Sequence, residues 1–294
     1  MRGLGWNWRY FSGNGGVYRR TLGIVVLTVS AIGCGSNTKP NPSQTNPLGD
    51  AGNSVTCKND IAVVPSPNLT GRFALQTIAS RFVPKTGLTS EFYTTTTSIL
   101  LADLTQTGTQ VSMSAAYCSQ VAADPAAPAH VNIPDAYQRS LAPFVRTGTY
   151  SGNGTGTGIL AFPSFVELEG VTLADPAHDA LPTDPADPRV TDQDKDGNPG
   201  VTIKLSGLVS GDMYVVQRQT SALTGIAVSE DRVQGDYGFT SEQIVLASNP
   251  EAIKTLAAQT AIADPNTCAS SFVLVRVTAA SACADVLADA TLFN

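Results

Sequence analysis

Seven aspartates and no glutamate lie between Asp175 and Asp196: Asp175, Asp179, Asp184, Asp187, Asp192, Asp194 and Asp196. The run ends Asp192-Gln193-Asp194-Lys195-Asp196-Gly197-Asn198-Pro199-Gly200. Carboxylates at alternate positions followed by glycine can wrap a hard cation with oxygen ligands at about 2.4 Å. Gly197 permits the sharp turn, and the Asn198 carbonyl can supply a further oxygen. Without a cation, three carboxylates this close repel one another, so binding is expected to order the loop. Asp192, Asp194, Asp196 and Asn198 are therefore the candidate ligands, and calcium the candidate ion. The plain alternative is a solvated acidic loop with an Asp-Gly turn.

Other chemistry-bearing residues form no catalytic constellation. Gly-x-Ser-x-Gly, His-Glu-x-x-His and a phosphate-binding loop do not occur in the sequence. The glycine-rich stretch from Gly152 to Gly158 precedes the strand-like Ile159-Leu160-Ala161-Phe162, not a helix, and reads as a turn. Glu167 and Glu169 flank Leu168 on one strand face. They could act as a carboxylate pair, but a solvated face is the expected reading. His130 and His178, the only histidines, stand near Pro-Ala and Asp-Pro pairs and are expected on loops. No catalytic residue is assigned.

Cysteines bear on compartment. Cys57, Cys118, Cys268 and Cys283 form an even set without CxxC spacing, which in an exported chain reads as two disulfides. The local pairs Cys57–Cys118 and Cys268–Cys283 are favoured among three possible pairings. The fifth, Cys34, closes the run Leu27-Thr28-Val29-Ser30-Ala31-Ile32-Gly33-Cys34. Before it stand Arg2, Arg9, Arg19 and Arg20, no acid, and an apolar core from Leu22 to Ile32, too short to span a bilayer as a helix.

Strand signals dominate the elements that must position these groups. Gln110 to Cys118 alternates, with Val111, Met113, Ala115 and Tyr117 on one face. Phe73–Ile78, Tyr93–Leu101, Val201–Ser206, Met213–Thr220, Ile244–Leu246 and Phe272–Val277 read similarly. Ile226–Val228 and Arg232–Phe239 flank a Ser229-Glu230-Asp231 turn, as in a hairpin. One helix is expected after Asn249 as cap and Pro250 at its first position, ending before Asp264-Pro265. Proline at 176, 182, 185 and 188 keeps the acidic stretch extended. The expectation is a mostly β fold, an antiparallel sandwich or lipocalin-like barrel with one short C-terminal helix.

Three resemblances follow from these residues. Ala31-Ile32-Gly33-Cys34 resembles the lipid-attachment signal of bacterial lipoproteins, with Ala31 where such signals usually carry Leu. It implies cleavage before Cys34 and acylation of its sulfur; several acyl chains anchor firmly where one does not. Gly35, in place of an Asp, implies the outer membrane. Asp192–Gly200 resembles the calcium loops of EF-hand and propeller-repeat proteins. Ile203 stands where an EF-hand has Glu and Gly200 where propeller loops have Asp, so further ligands are expected from Asp184, Asp187, water or elsewhere. Leu69-Thr70-Gly71-Arg72-Phe73 distantly resembles a lipocalin opening. Overall the chain resembles uncharacterised Gram-negative lipoproteins.

The expected organisation is a signal peptide over 1–33, a lipidated N-terminus and Pro/Gly/Ser-rich tether over 34–56, and one β-rich domain over 57–294. The chain holds 18 basic and 24 acidic residues; loss of the leader's four arginines leaves 14 against 24, a net charge of −10. An acidic surface argues against nucleic acid as a partner. The membrane, through the lipid anchor, is the expected partner, with a protein or small-molecule ligand unspecified. The expected role is a calcium-stabilised envelope domain for ligand binding or assembly. The alternative is an exported hydrolase with a carboxylate or metal site in 175–200.

Overall fold

A computed structural model describes residues 68–84, 91–127, 129–151, 158–256 and 261–294. The leader, the tether, Cys34, Cys57 and 152–157 of the glycine run lie outside the described residues. The element order is β1 (Gly71–Val83), β2 (Phe92–Thr107), β3 (Gln110–Ala123), β4 (Ala129–Asn132), α1 (Asp135–Ser140), β5 (Phe144–Ser151), β6 (Ile159–Glu169) and β7 (Val201–Gly207). There follow β8 (Gly211–Ser229), β9 (Arg232–Asn249), α2 (Ala252–Leu256), β10 (Ile262–Ala263), β11 (Ser271–Arg276) and α3 (Cys283–Ala288). The segments read as strands from their alternation fall on these strands, with 244–246 continuing β9.

The eleven strands form one antiparallel sheet that closes on itself. β1, β2, β3, β5, β6, β8, β9 and β11 pair in that order, and β11 returns to β1. Eight strands thus make an up-and-down barrel, the second of the two expected all-β arrangements. β8 divides its free edge: β6 pairs with Gln217–Ile226 and β7 with Gly211–Val215. At one end β5 and β6 complete the wall. At the other, β4 and β7 take their place, with α1 packed between β3 and β7.

Inward side chains differ between the two ends. The β5–β6 end is filled by Phe73, Leu75, Leu100, Met113, Phe162 and Leu223 with their neighbours, all nearly inaccessible. Each such burial stabilises by roughly 1.5–3 kcal/mol. A second cluster, Tyr137, Val201, Ile203, Leu205, Met213, Val215 and Ile253, roofs the opposite end.

Two bulges decide which residues face inward in the middle. β3 skips Cys118 between Tyr117 and Ser119, so inward positions 111, 113, 115 and 117 continue at Gln120 and Ala122. β6 slips between Phe162 and Phe165, so inward Leu160 and Phe162 continue at Phe165, Glu167 and Glu169 opposite Ser221, Gln219 and Gln217. An extra residue exchanges the two faces of every position beyond it.

Helices and cysteines depart from expectation. Asn249 pairs with Asp212 as the last residue of β9 and caps no helix; α2 covers Ala252–Leu256. Two short helices, α1 and α3, were not legible as such. Asp285 accepts from the Ala282 N–H at the start of α3. Cys118 bonds Cys283 across 165 residues, with Cα atoms 5.2 Å apart, so neither favoured local pair forms. The bulge leaves Cys118 outside the ladder register, and the bond fixes α3 against β2 and β3. Cys268 is also disulfide-bonded. His130 lies in β4, not on a loop, and pairs with Asp124.

Candidate functional site

Between the apolar plug and the roof lies a partly open cavity of about 150 Å³ lined by both polar and apolar side chains. Five strands send inward side chains there beyond the plug: Arg81 from β1, Thr94 and Thr96 from β2, Gln120 from β3, Gln217 and Gln219 from β8, Ser241 and Gln243 from β9. Tyr137 of α1 and Ile203 of β7 close the top. Val83, Phe92 and Ala261 form an apolar margin.

Two of the wall amides keep buried atoms without partners: Gln243 Nε2 and Gln120 Oε1. Gln243 is only 6 % exposed. A buried donor or acceptor left unmade costs about 1–3 kcal/mol, so such atoms need water or a ligand facing them.

Charged and hydroxyl side chains run from the edge of the plug along the β6 side of the cavity. Arg146 donates to Ser221 Oγ at 3.3 Å, to Ser221 O at 2.9 Å and to Pro163 O at 3.0 Å, and its guanidinium sits over the Phe165 ring at 5.3 Å. The Tyr117 hydroxyl donates to Glu167 at 3.0 Å, and the Tyr137 hydroxyl donates to Glu169. Gln219 donates to the Tyr237 hydroxyl at 2.8 Å. Burial pushes Glu169 up to about 7, against the hydrogen bond from Tyr137, and raises Glu167 as well. Burial also raises the Tyr237 hydroxyl to about 12 and lowers the Arg81 and Arg146 guanidinium groups. The reading of Glu167 and Glu169 as a solvated face is therefore overturned: the bulge at 163–164 turns both inward.

The acidic segment joins β6 to β7 and lies against the outer face of β8 and β9. Val171, Leu173 and Leu181 pack on Val216 and Leu246. Arg218, paired with Glu242, donates to the carbonyls of Asp179 at 2.7 Å and Pro176 at 3.2 Å, clamping the segment. Asp184 accepts from the Ala186 N–H, and Asp187 accepts from Arg189 and is held down at about 2 by that guanidinium. Both are occupied in their own turns and stand outside the aspartate cluster, so neither is the expected extra ligand.

Asp192, Asp194 and Asp196 do converge. Each offers a carboxylate oxygen, the three lying within 4.8 Å of one another, as a shared cation about 2.4 Å from each would require. Asp192 accepts from the Asp196 and Gly197 N–H groups, which closes the turn. Gly197 adopts φ +88°, the left-handed geometry anticipated for it. The Asn198 N–H donates to Asp196 at 2.9 Å. Asp194 Oδ2 accepts from Thr202 N at 2.8 Å, while its Oδ1 is buried without a partner; the residue is 9 % exposed. Burial raises Asp194, and the neighbouring carboxylates add to that rise. An orphaned carboxylate oxygen within three converging acids suits a metal ion.

Loop and cavity share a wall. Asp194 and Asp196 both bind Thr202, the neighbour of cavity-lining Ile203. Gln193 accepts from the N–H of Gly170, next to Glu169, at 2.7 Å and donates to Ser140 O of α1 at 3.2 Å. Sequence reasoning missed the cavity, whose wall is ordinary Thr, Ser and Gln scattered over five strands. Compared with family models, curated proteins and solved structures, the chain matches none.

Proposed function

We propose that this chain is a binding protein of the cell envelope, lipid-anchored through Cys34, which holds a small polar molecule inside its barrel. The observation that carries this reading is the pair of orphaned amide atoms, on Gln243 and Gln120, in the wall of a partly open cavity inside the barrel. An interior selected for stability alone would carry apolar side chains there, as the other half of the barrel does. A volume of about 150 Å³ suits a molecule of about six to eight non-hydrogen atoms.

In the same reading, Asp192, Asp194 and Asp196, with the Asn198 carbonyl, hold calcium. Oxygen-only donors and a turn-forming glycine fit that ion. The ion would stiffen the entry to β7 and, through Thr202 and Gln193, the cavity wall; it takes no part in chemistry. The test is Gln243→Leu. It is expected to leave the unliganded melting temperature unchanged or raised, and to abolish the thermal shifts that small polar compounds give the wild type. Strong destabilisation of the variant, with no compound shifting the wild type, sinks the reading.

A further inference from the structure

We infer that the molecule held in the barrel is a monocarboxylate, with its carboxylate on the Arg81 guanidinium. This rests on the cavity reading above. Arg81 is the one cationic side chain lining the cavity among the described residues. Its hydrogen bond there goes to a neutral group, Thr96 Oγ1, at 3.1 Å, and its guanidinium lies 4.9 Å over the Phe239 ring. No carboxylate of the described residues comes within ion-pair distance of it. A guanidinium presents five N–H donors in a planar fork; Glu169 attracts it from beyond ion-pair distance but is held by Tyr137, so the fork lacks a direct counter-ion, which is unfavourable in an interior. The missing partner is thus an anion, and the fork matches a carboxylate edge-on.

The rest of the wall narrows the class. The only acid lining the cavity among the described residues, Asp124, already accepts from His130 at 2.9 Å and from the Val131 N–H at 2.9 Å. Glu167 and Glu169 stand level with the cavity-lining Gln219 and Gln217 they pair with but do not line the cavity themselves, and are bound to Tyr117 and Tyr137. With one cation and two neighbouring carboxyl groups, the site accommodates at most a single further negative charge and not the double charge of a phosphate monoester. The Gln243 amide offers a second donor, and Gln120 Oε1 asks for a donor on the ligand. The fit is therefore a compact acid that also bears a hydroxyl, amine or ring N–H.

Matched acid and amide pairs test this by calorimetry and thermal melting: lactate with lactamide, serine with serinamide, benzoate with benzamide. At least one acid, lactate or serine before benzoate, is expected to bind saturably. Its amide should bind at least tenfold more weakly, and Arg81→Gln should lose at least tenfold in affinity for the acid. Arg81→Lys, which keeps the charge and loses the fork, should fall between. Amides binding as tightly as acids, or undiminished acid binding by Arg81→Gln, overturn the inference and leave a polar-ligand cavity standing. No saturable binding by any pair also overturns it, and the Gln243→Leu melting test then decides whether the cavity reading falls too. If Arg81→Gln does not fold, acid-over-amide selectivity of the wild type remains the deciding measurement.

Discussion

The Tyr137 hydroxyl donates to the Glu169 carboxylate, tying helix α1 to the barrel wall beneath the roof. Glu169 is 7 % exposed and faces Tyr137, with Glu167 raising it further and Arg81 opposing. Its carboxyl is pushed from an ordinary 4.5 to about 7 by burial. Between those values the folded protein keeps a proton that the unfolded chain releases. Stability from this group is thus fully present below pH 4.5, falls as pH rises, and is lost above about 7; the change is about 3 kcal/mol. Glu169→Gln, which still accepts from Tyr137, is expected to flatten the fall in melting temperature between pH 5 and 8. An identical fall in both proteins would contradict the assignment.

Calcium at the aspartate loop should be visible as stability. An ion at a hundred times its dissociation constant stabilises by about 2.7 kcal/mol, or about 5–10 °C for a domain of this size. Melting with calcium against chelator is expected to show that shift in the wild type and none in Asp194→Ala. Calorimetric heat of equal size in both would remove Asp194 as a ligand.

Gly197 and Gly200 sit in the same loop with similar backbone angles, φ +88° and +87°, and predict different costs. A Cβ at 197 meets nothing, whereas one at 200 would lie 2.1 Å from the Val215 carbonyl oxygen. Gly197→Ala should cost about 1–2 kcal/mol, the left-handed penalty alone. Gly200→Ala should cost clearly more, because β8 must yield. Urea unfolding of the two variants makes the comparison.

The Cys118–Cys283 bond closes a loop of 165 residues by sequence separation. Loop-closure entropy alone assigns such a bond up to about 5 kcal/mol. A Cys118→Ser/Cys283→Ser double variant is expected to lose 2–5 kcal/mol in denaturant unfolding and to release α3 to proteolysis first. An unchanged midpoint would mean that the C-terminal segment is held otherwise, for example by Arg232 donating to the carbonyls of Phe293 and Asn294.

Local periodicity and local chemistry determined much of this protein. Val111, Met113, Ala115 and Tyr117 announce a half-buried strand because side chains alternate along it. The Asp-x-Asp-x-Asp-Gly run announces converging oxygens because its ligands are neighbours in the chain. Only the closed sheet decided the rest. Glu167 and Glu169 read as solvated until a slip of one residue at 163–164 carries them inside. Gln120 enters the cavity because Cys118 is bulged out, and the same bulge frees Cys118 to reach Cys283. Arg81 and Gln243 lie 162 positions apart and meet one cavity only when β9, β11 and β1 close the barrel. Face and neighbourhood are properties of register and closure, which no window of sequence contains.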